Sequence, residues 1–180
     1  MNNLENNYVI YLQNLKNEDL HLKFFVKDNF FSKIKLSTIK KANLVVDINL
    51  DLKRNYIKIF TKIEGFVNVQ CDRCMDYFDF PIKYNGKLLI RFRENLDEFF
   101  DYKKEDDYMA ISKFDKQIDL KHYIYECIVL SMPYKKVHQN DENGFSTCNP
   151  LIIEKLENLK SKKENIIDHR WLALKNFNKK

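Results

Sequence analysis

Apolar and polar residues alternate through the middle of the chain, from residue 43 to residue 93. The first alternating stretch places apolar side chains at every second position, at Leu44, Val46, Ile48, Leu50 and Leu52. After a turn at Arg54-Asn55, Ile57, Ile59 and Ile63 keep the same period. A period of two is typical of strands that bury one face. The pattern therefore predicts an antiparallel β-meander.

Two glycines interrupt this pattern and predict local geometry. Gly65 is expected to mark a bulge or bend, after which Phe66–Gln70 forms a further strand. Tyr84-Asn85-Gly86-Lys87 contains an Asn-Gly pair, which suits a two-residue primed turn because both positions need positive φ. We therefore expect residues 78–84 to pair with residues 87–92 as a hairpin.

Helical periodicity follows the β region. From residue 119 to residue 132 the apolar stripe consists of Leu120, Tyr123, Ile124, Cys127 and Ile128. Asp119 suits the start of this helix and Pro133 its end. Residues 150–160 predict a second helix, and Asp168 begins a last short one. Upstream, residues 8–12 and 20–25 suit short strands.

These elements predict an α+β fold. Its body is an antiparallel β-meander or barrel-like sheet with a packed helix and a helical C-terminal tail. The expected division is a mainly β domain with a Cys-x-x-Cys knuckle at 1–148 and a helical tail at 149–180.

Composition narrows the class of protein. The 180 residues are 44% hydrophobic, with 14 Phe and 10 Tyr, which is too apolar for a fully disordered chain. No apolar run is long enough to cross a bilayer, and the N-terminus lacks the pattern of a secretory signal. We therefore expect a cytoplasmic protein without membrane partners. The acidic run at 94–107 is interpreted as a solvated linker.

Only three glycines are present, which excludes the Gly-rich phosphate-binding loops of NTPases and dinucleotide enzymes. Neither a Gly-x-Ser-x-Gly nucleophile elbow nor a His-Glu-x-x-His zinc motif occurs. The expectation is a non-enzymatic protein with no small-molecule substrate. A dyad of Cys71 with a distant histidine is the remaining enzymatic alternative.

Cys71-Asp72-Arg73-Cys74 is the most informative constellation. Two cysteines three positions apart, in a turn between strands, can place both thiolates on one side and supply half of a tetrahedral zinc site. His138 and Cys148, in one polar loop, are the best candidates for the other two ligands. The hypothesis is one structural zinc ion bound by Cys71, Cys74, His138 and Cys148.

Other interpretations of the same cysteines stay open. Cys71 and Cys74 could form a knuckle without metal, a redox pair or, less in keeping with a reducing compartment, a disulfide. Cys127 lies inside the helical stripe and is interpreted as a core thiol. The lone histidines His21, His122 and His169 are interpreted as surface or capping residues.

Four short motifs of the chain resemble those of a known family. The resemblance rests on Cys71-Asp72-Arg73-Cys74-Met75, then residues 126–133 ending Met132-Pro133, then His138 and Cys148, then Asp168-His169-Arg170-Trp171. The order of these motifs is similar to that of the YceD family, the large ribosomal RNA subunit accumulation proteins. Met75 stands where leucine is usual, Lys136 where a second proline is frequent, and His169 replaces the tail proline.

The resemblance implies a non-enzymatic factor needed for normal levels of large-subunit ribosomal RNA. Net charge is +5, with basic ends around a mildly acidic middle. Basic ends suit RNA phosphates, although such a bias also occurs on ordinary surfaces. Candidate contacts with RNA or a partner are Lys40, Lys41, Arg54, Arg73, Arg170, Trp171 and Lys175. For Trp171 the favoured interpretation is an anchor that holds the C-terminal helix to the domain, with base stacking as the alternative. The alternatives are an adaptor between ribosome-assembly proteins and, less favoured, a Cys-x-x-Cys redox protein.

Overall fold

A computed structural model describes residues 8–15, 20–32, 34, 37–53, 55–93 and 107–159. The chain divides into two compact units, Met1–Val137 and His138–Lys180. In the described part of the chain, no helix is both long and apolar enough to cross a membrane. The domain division expected at residue 148 stays a prediction.

The first unit contains a five-stranded open sheet. Its strands are β2 (Leu20–Lys27), β3 (Lys41–Leu52), β4 (Tyr56–Gln70), β5 (Tyr77–Arg93) and β6 (Asp107–Ser112), after a short β1 (Val9–Tyr11). The order in the sheet is β2-β3-β4-β5-β6. Neighbours are antiparallel except β5 and β6, which are parallel. The α+β class and the antiparallel meander are confirmed, and the parallel β6 makes the sheet mixed.

Smaller elements complete this unit. A single 3-10 turn, Leu12–Asn14, follows β1, and a short helix α1 (Asp28–Ser32) follows β2. A further strand β7 (Gln117–Asp119) pairs with β1 as a separate two-stranded sheet. The strands predicted near residues 8–12 and 20–25 are therefore present as β1 and β2.

The predicted hairpin at Asn85-Gly86 is wrong. β5 runs through both residues as one strand, with Asn85 opposite Lys62 and Gly86 opposite Thr61 on β4. A long partner strand satisfies the backbone groups on both sides of the pair, so the ladder overrides the local turn preference. Gly86 leaves room for Tyr84 instead, because a Cβ built there would meet the hydroxyl group and ring of that tyrosine.

The bulge predicted at Gly65 is also absent. Gly65 is in register with Leu44 on β3 and with Ile82 on β5, so β4 is one strand where two were predicted. Two observations explain the glycine: its φ is +140°, and a Cβ built there would clash with the carbonyl oxygen of Asn43. The backbone approaches β3 too closely for a side chain.

The sheet has an inner and an outer face. The inner face consists of even-numbered residues on β2, β3 and β5 and odd-numbered residues on β4, and the outer face of the alternate positions. Inner residues such as Leu44, Ile59 and Ile90 are fully buried, whereas the outer residues of β3 and β4 are half-buried or exposed. The hydrophobic core therefore lies on one side of the sheet.

Helix α2 (Lys121–Leu130) contributes to this core. Its buried residues are Tyr123, Ile124, Cys127 and Ile128, as the stripe predicted. Asp119, at the end of β7, accepts a hydrogen bond from the Lys121 N–H at 2.8 Å. On the inner face, the Tyr123 hydroxyl is 3.2 Å from Oγ1 of Thr61, and burial raises the pKa of Tyr123 far above its ordinary value.

In the second unit the structure describes a loop and helix α3 (Pro150–Leu159), which confirms the helix predicted at 150–160. The Asn149 side chain accepts a hydrogen bond from the Leu151 N–H at 3.1 Å, as an N-cap residue does. The predicted helix beginning at Asp168, and the acidic run apart from its last residue, lie outside the described residues.

Candidate metal centre

The Cys-x-x-Cys turn joins β4 to β5, and we call its residues 71–75 the knuckle. The Cys71 N–H donates to the Asp76 carbonyl, and the Met75 N–H donates to the Cys71 carbonyl, both at 2.9 Å. Met75 has a left-handed φ of 65°, which a non-glycine residue adopts only at some energetic cost. The chain therefore reverses within five residues.

This turn buries both sulfurs. Cys71 is fully buried and Cys74 is 3% exposed. The Arg73 N–H lies 3.4 Å from the Cys71 Sγ and donates to it. A sulfur that accepts a backbone hydrogen bond is better suited to the thiolate state, which is the form that binds metal.

His138 and Cys148 come from the loop that opens the second unit. Asn140 and Ser146 form an isolated antiparallel bridge, and the Asp141 carboxylate accepts hydrogen bonds from the N–H groups of Asn143 and Phe145. Because the loop doubles back, its ends meet: the His138 Nδ1 is 3.6 Å from the Cys148 Sγ. Cys148 is 4% exposed and His138 is half-buried.

The four residues predicted as ligands are close together. One ligand atom from each of Cys71, Cys74, His138 and Cys148 lies within 4.8 Å of the other three, and the four cysteines of the chain are free thiols. We call this group the Cys/His cluster. Tetrahedral zinc with its usual bond lengths would place neighbouring ligand atoms about 3.5–3.8 Å apart. The 3.6 Å between His138 and Cys148 lies in that range, so the donor set suits one zinc ion.

A second observation separates these cysteines from an ordinary core. The apolar cluster of the described residues includes Cys127, but Cys71, Cys74 and Cys148 are buried without belonging to it. Cys127 is 4% exposed and packs as the core thiol that the helical stripe predicted. Three buried thiols with a histidine, away from apolar packing, are typical of a structural metal site.

Asp72 has a structural role that the sequence did not reveal. Its Oδ2 accepts a hydrogen bond from the Lys136 N–H at 2.5 Å, and its own N–H donates to the Lys136 carbonyl at 2.7 Å. This reciprocal pair fixes the backbone two residues before His138. An aspartate in a turn is a common partner of backbone N–H groups, but the distance of 64 residues cannot be inferred from local pattern.

The candidate RNA or partner contacts fall into two groups. Lys40 and Lys41 are exposed at the end of the sheet that carries the knuckle, where Lys41 pairs with Asn68 and the Lys40 Nζ lies 5.0 Å from the Tyr77 ring centroid. Arg73 is half-buried in the knuckle itself. The remaining candidates lie outside the described residues: Arg54, Arg170, Trp171 and Lys175. Contacts by any of the seven stay predictions.

Comparison with known proteins agrees with the motif order. The family model described as "Large ribosomal RNA subunit accumulation protein YceD" matches residues 60–178, which is well over half of the chain and includes every member of the Cys/His cluster. No curated protein and no solved structure was found to match. The chain belongs to the YceD family.

Proposed function

We propose that this protein is a non-enzymatic ribosome-biogenesis factor needed for the accumulation of large-subunit (23S) ribosomal RNA. The family match over residues 60–178 carries this proposal, because the family is described by that role. The protein would bind RNA or an assembly intermediate in the cytoplasm. It needs no small-molecule substrate for this role.

The rRNA role is tested by depleting the protein in cells that encode it. The ratio of large-subunit to small-subunit ribosomal RNA, measured by capillary electrophoresis of total RNA, should fall on depletion and return with a wild-type copy. An unchanged ratio after complete depletion would contradict the proposed function.

We further propose that Cys71, Cys74, His138 and Cys148 bind one structural zinc ion. Three thiolates and an imidazole form a closed Cys₃His set, which leaves no position for a substrate. The ion would tie the loop of residues 138–148 to the knuckle and so make that loop part of the folded protein. The redox alternative gains little support, because reactive cysteines are usually partly exposed whereas Cys71 and Cys74 are buried.

Elemental analysis of the full chain, purified without added metal or chelator, tests the zinc proposal. About one zinc ion per chain is expected. Cys148→Ser should lose it, and Cys127→Ser should keep it, since Cys127 is an equally buried cysteine outside the Cys/His cluster. Protein without metal, or equal zinc in both variants, would contradict the assignment.

An adaptor role is the second candidate, favoured by the surface of α3. None of its residues is buried, and Leu151, Leu156 and Leu159 are 67%, 40% and 79% exposed. Exposed leucines on a helix suit a groove on a partner protein. Ribosomal components that stay bound to the tagged protein after ribonuclease treatment would favour the adaptor, whereas their release would favour RNA binding.

A further inference from the structure

The outer face of the five-stranded sheet exposes aromatic side chains. Phe25, Phe60 and Phe66, on β2 and β4, are 50%, 43% and 38% exposed. Helix α2 contacts the opposite, inner face through Tyr123 and Thr61. Phe60 and Phe66 are six residues apart on β4, about 20 Å, so this face carries separate exposed rings rather than one apolar patch.

The charges of this face favour an anionic partner. Its positions on β2 to β5 carry nine lysines and arginines against four acidic residues. Asp47, Asp51 and Glu64 each lie within 3.5 Å of a lysine or histidine nitrogen, and Asp79 accepts a hydrogen bond from Asn68. Nine basic against four acidic side chains leave an excess of five positive charges on this face, even though Lys23 and Lys62 pair with Asp47 and Glu64.

Phe60 lies at the centre of a group of lysines. Lys87 is directly opposite it on β5, and Lys58 and Lys62 are two residues away on β4, on the same face. Directly opposite neighbours are about 5 Å away and same-strand neighbours about 7 Å away. Three lysines therefore flank one exposed phenyl ring, with the Lys62 Nζ 3.0 Å from Glu64 Oε1 and the Lys58 Nζ 5.5 Å from the Tyr56 ring centroid.

This arrangement suits single-stranded RNA better than protein. An unpaired base can stack on a phenyl ring while the phosphates on either side pair with lysines. A protein–protein interface would be expected to contain few lysines, since lysine is depleted at such interfaces. A base-paired duplex offers no free base face for stacking.

We propose that the outer face is an RNA-binding surface, on which a base of single-stranded RNA stacks on Phe60 and adjacent phosphates pair with Lys58, Lys62 and Lys87. Phe25 and Phe66 offer further stacking positions. This proposal rests on the RNA-binding mode of the proposed function. Its four named contacts are not among the seven residues predicted from sequence, of which Lys41 lies on the same face.

The first test is fluorescence anisotropy of a fluorescein-labelled single-stranded RNA of about 12 nucleotides, within the usual site sizes of such platforms. The full chain should bind it, and Phe60→Ala should bind about tenfold more weakly. Phe114→Ala is the matched control, because Phe114 is 83% exposed in the turn after β6 and lies off the outer face. Thermal unfolding of both variants checks that they are folded.

The second test uses the salt dependence of the same binding. Replacing both Lys58 and Lys87 by alanine should lower the slope of log Kd against log salt concentration by about 0.7 for each lost phosphate contact. Lys155→Ala, on α3, removes one charge elsewhere and should leave the slope unchanged. An unlabelled RNA duplex should compete less well than the single strand.

Two outcomes would overturn the proposal: equal affinity of the wild type and Phe60→Ala, or no binding of the RNA by the wild type. If the wild type does not bind the RNA, a protein becomes the better candidate for the partner of the outer face. Neither outcome bears on the rRNA ratio after depletion, which tests the proposed function separately.

Discussion

Cys74 in the knuckle and Cys127 in α2 are buried to nearly the same degree, at 3% and 4% exposure, but their surroundings differ. Cys127 packs among the apolar residues of the inner face and α2. Cys74 lies in a turn fixed by backbone and polar hydrogen bonds, beside Cys71 and outside the apolar cluster. The comparison teaches that the neighbours of a buried thiol, rather than its burial, indicate its role.

The two regions should therefore be stabilised by different means. The core gains free energy from many small apolar contacts, which tolerate the loss of one thiol. The knuckle cysteines lie outside the apolar cluster, so under the zinc proposal much of the stability of the knuckle would come from one ion and a few hydrogen bonds. Substitutions at three positions test whether the two regions are stabilised independently.

The largest effect is expected from removing a ligand. At a free zinc concentration 1,000-fold above its Kd, a bound ion stabilises the folded protein by about 4 kcal/mol, and Cys74→Ser should lose most of it. Cys127→Ser should cost about 1–2 kcal/mol, since it replaces a buried thiol by a hydroxyl in the core. The measurement is urea unfolding with and without a strong chelator.

The chelator gives this prediction its control. It should lower the unfolding midpoint of the wild type and of Cys127→Ser, and change that of Cys74→Ser little. If the chelator leaves the wild-type midpoint where it was, zinc does not stabilise the knuckle and the contrast between the regions fails.

A smaller effect is expected inside the sheet, at Gly65. The methyl group of an alanine there would clash with the Asn43 carbonyl, and the residue would also have to adopt a φ of +140°. We expect Gly65→Ala to lower the free energy of unfolding by about 3 kcal/mol and, under the zinc proposal, to leave the zinc content unchanged. Gly144→Ala is the matched control: its φ is +83°, but nothing lies within 4 Å of the added Cβ, so backbone strain alone should cost about 1 kcal/mol.

Equal costs at the two glycines, again from urea unfolding, would show that β3 and β4 can move apart to accept a methyl group. Loss of zinc from Gly65→Ala would show that the sheet and the knuckle unfold together. Either result would make the two regions less independent than the comparison suggests.

Local pattern explains which parts of the fold were predictable. The strand alternation at Leu44–Leu52 and the stripe containing Ile124 and Cys127 follow from burial on one face, which leaves a period in the sequence. Cys71 and Cys74 were predictable because of their zinc-knuckle spacing, whereas His138 and Cys148 were chosen because few other side chains could complete the ligand set, not because of their spacing. In both cases the physical requirement, burial or metal binding, restricts which residue types can stand at a position, so it can be seen in the sequence.

The features that were predicted wrongly or missed have a common cause, which is pairing between segments that are far apart in the sequence. Asn85-Gly86 has strong turn chemistry, but fifteen consecutive pairs between β4 and β5 outweigh it. The parallel pairing of β6 and the contact of Asp72 with Lys136 join segments whose sequences carry no sign of each other. The alternation of Ile57 and Ile59 already places Phe60 on the outer face, but Lys87 lies opposite it only because β5 pairs with β4 throughout, where a hairpin within β5 was predicted.

The smallest effect is expected at Asp72, where Asp72→Ala removes the acceptor of the Lys136 N–H. The carboxylate is 41% exposed, which reduces the value of the hydrogen bond, and we expect a loss of about 1 kcal/mol in urea unfolding. Asp72→Asn keeps an acceptor oxygen and should lose less.

Because the contact fixes the backbone two residues before His138, its contribution to the free energy of unfolding should depend on zinc. In a double-mutant cycle the cost of Asp72→Ala should shrink when Cys74→Ser is already present. Strictly additive costs would mean that the contact acts independently of the Cys/His cluster, and the knuckle would then consist of two separate local structures.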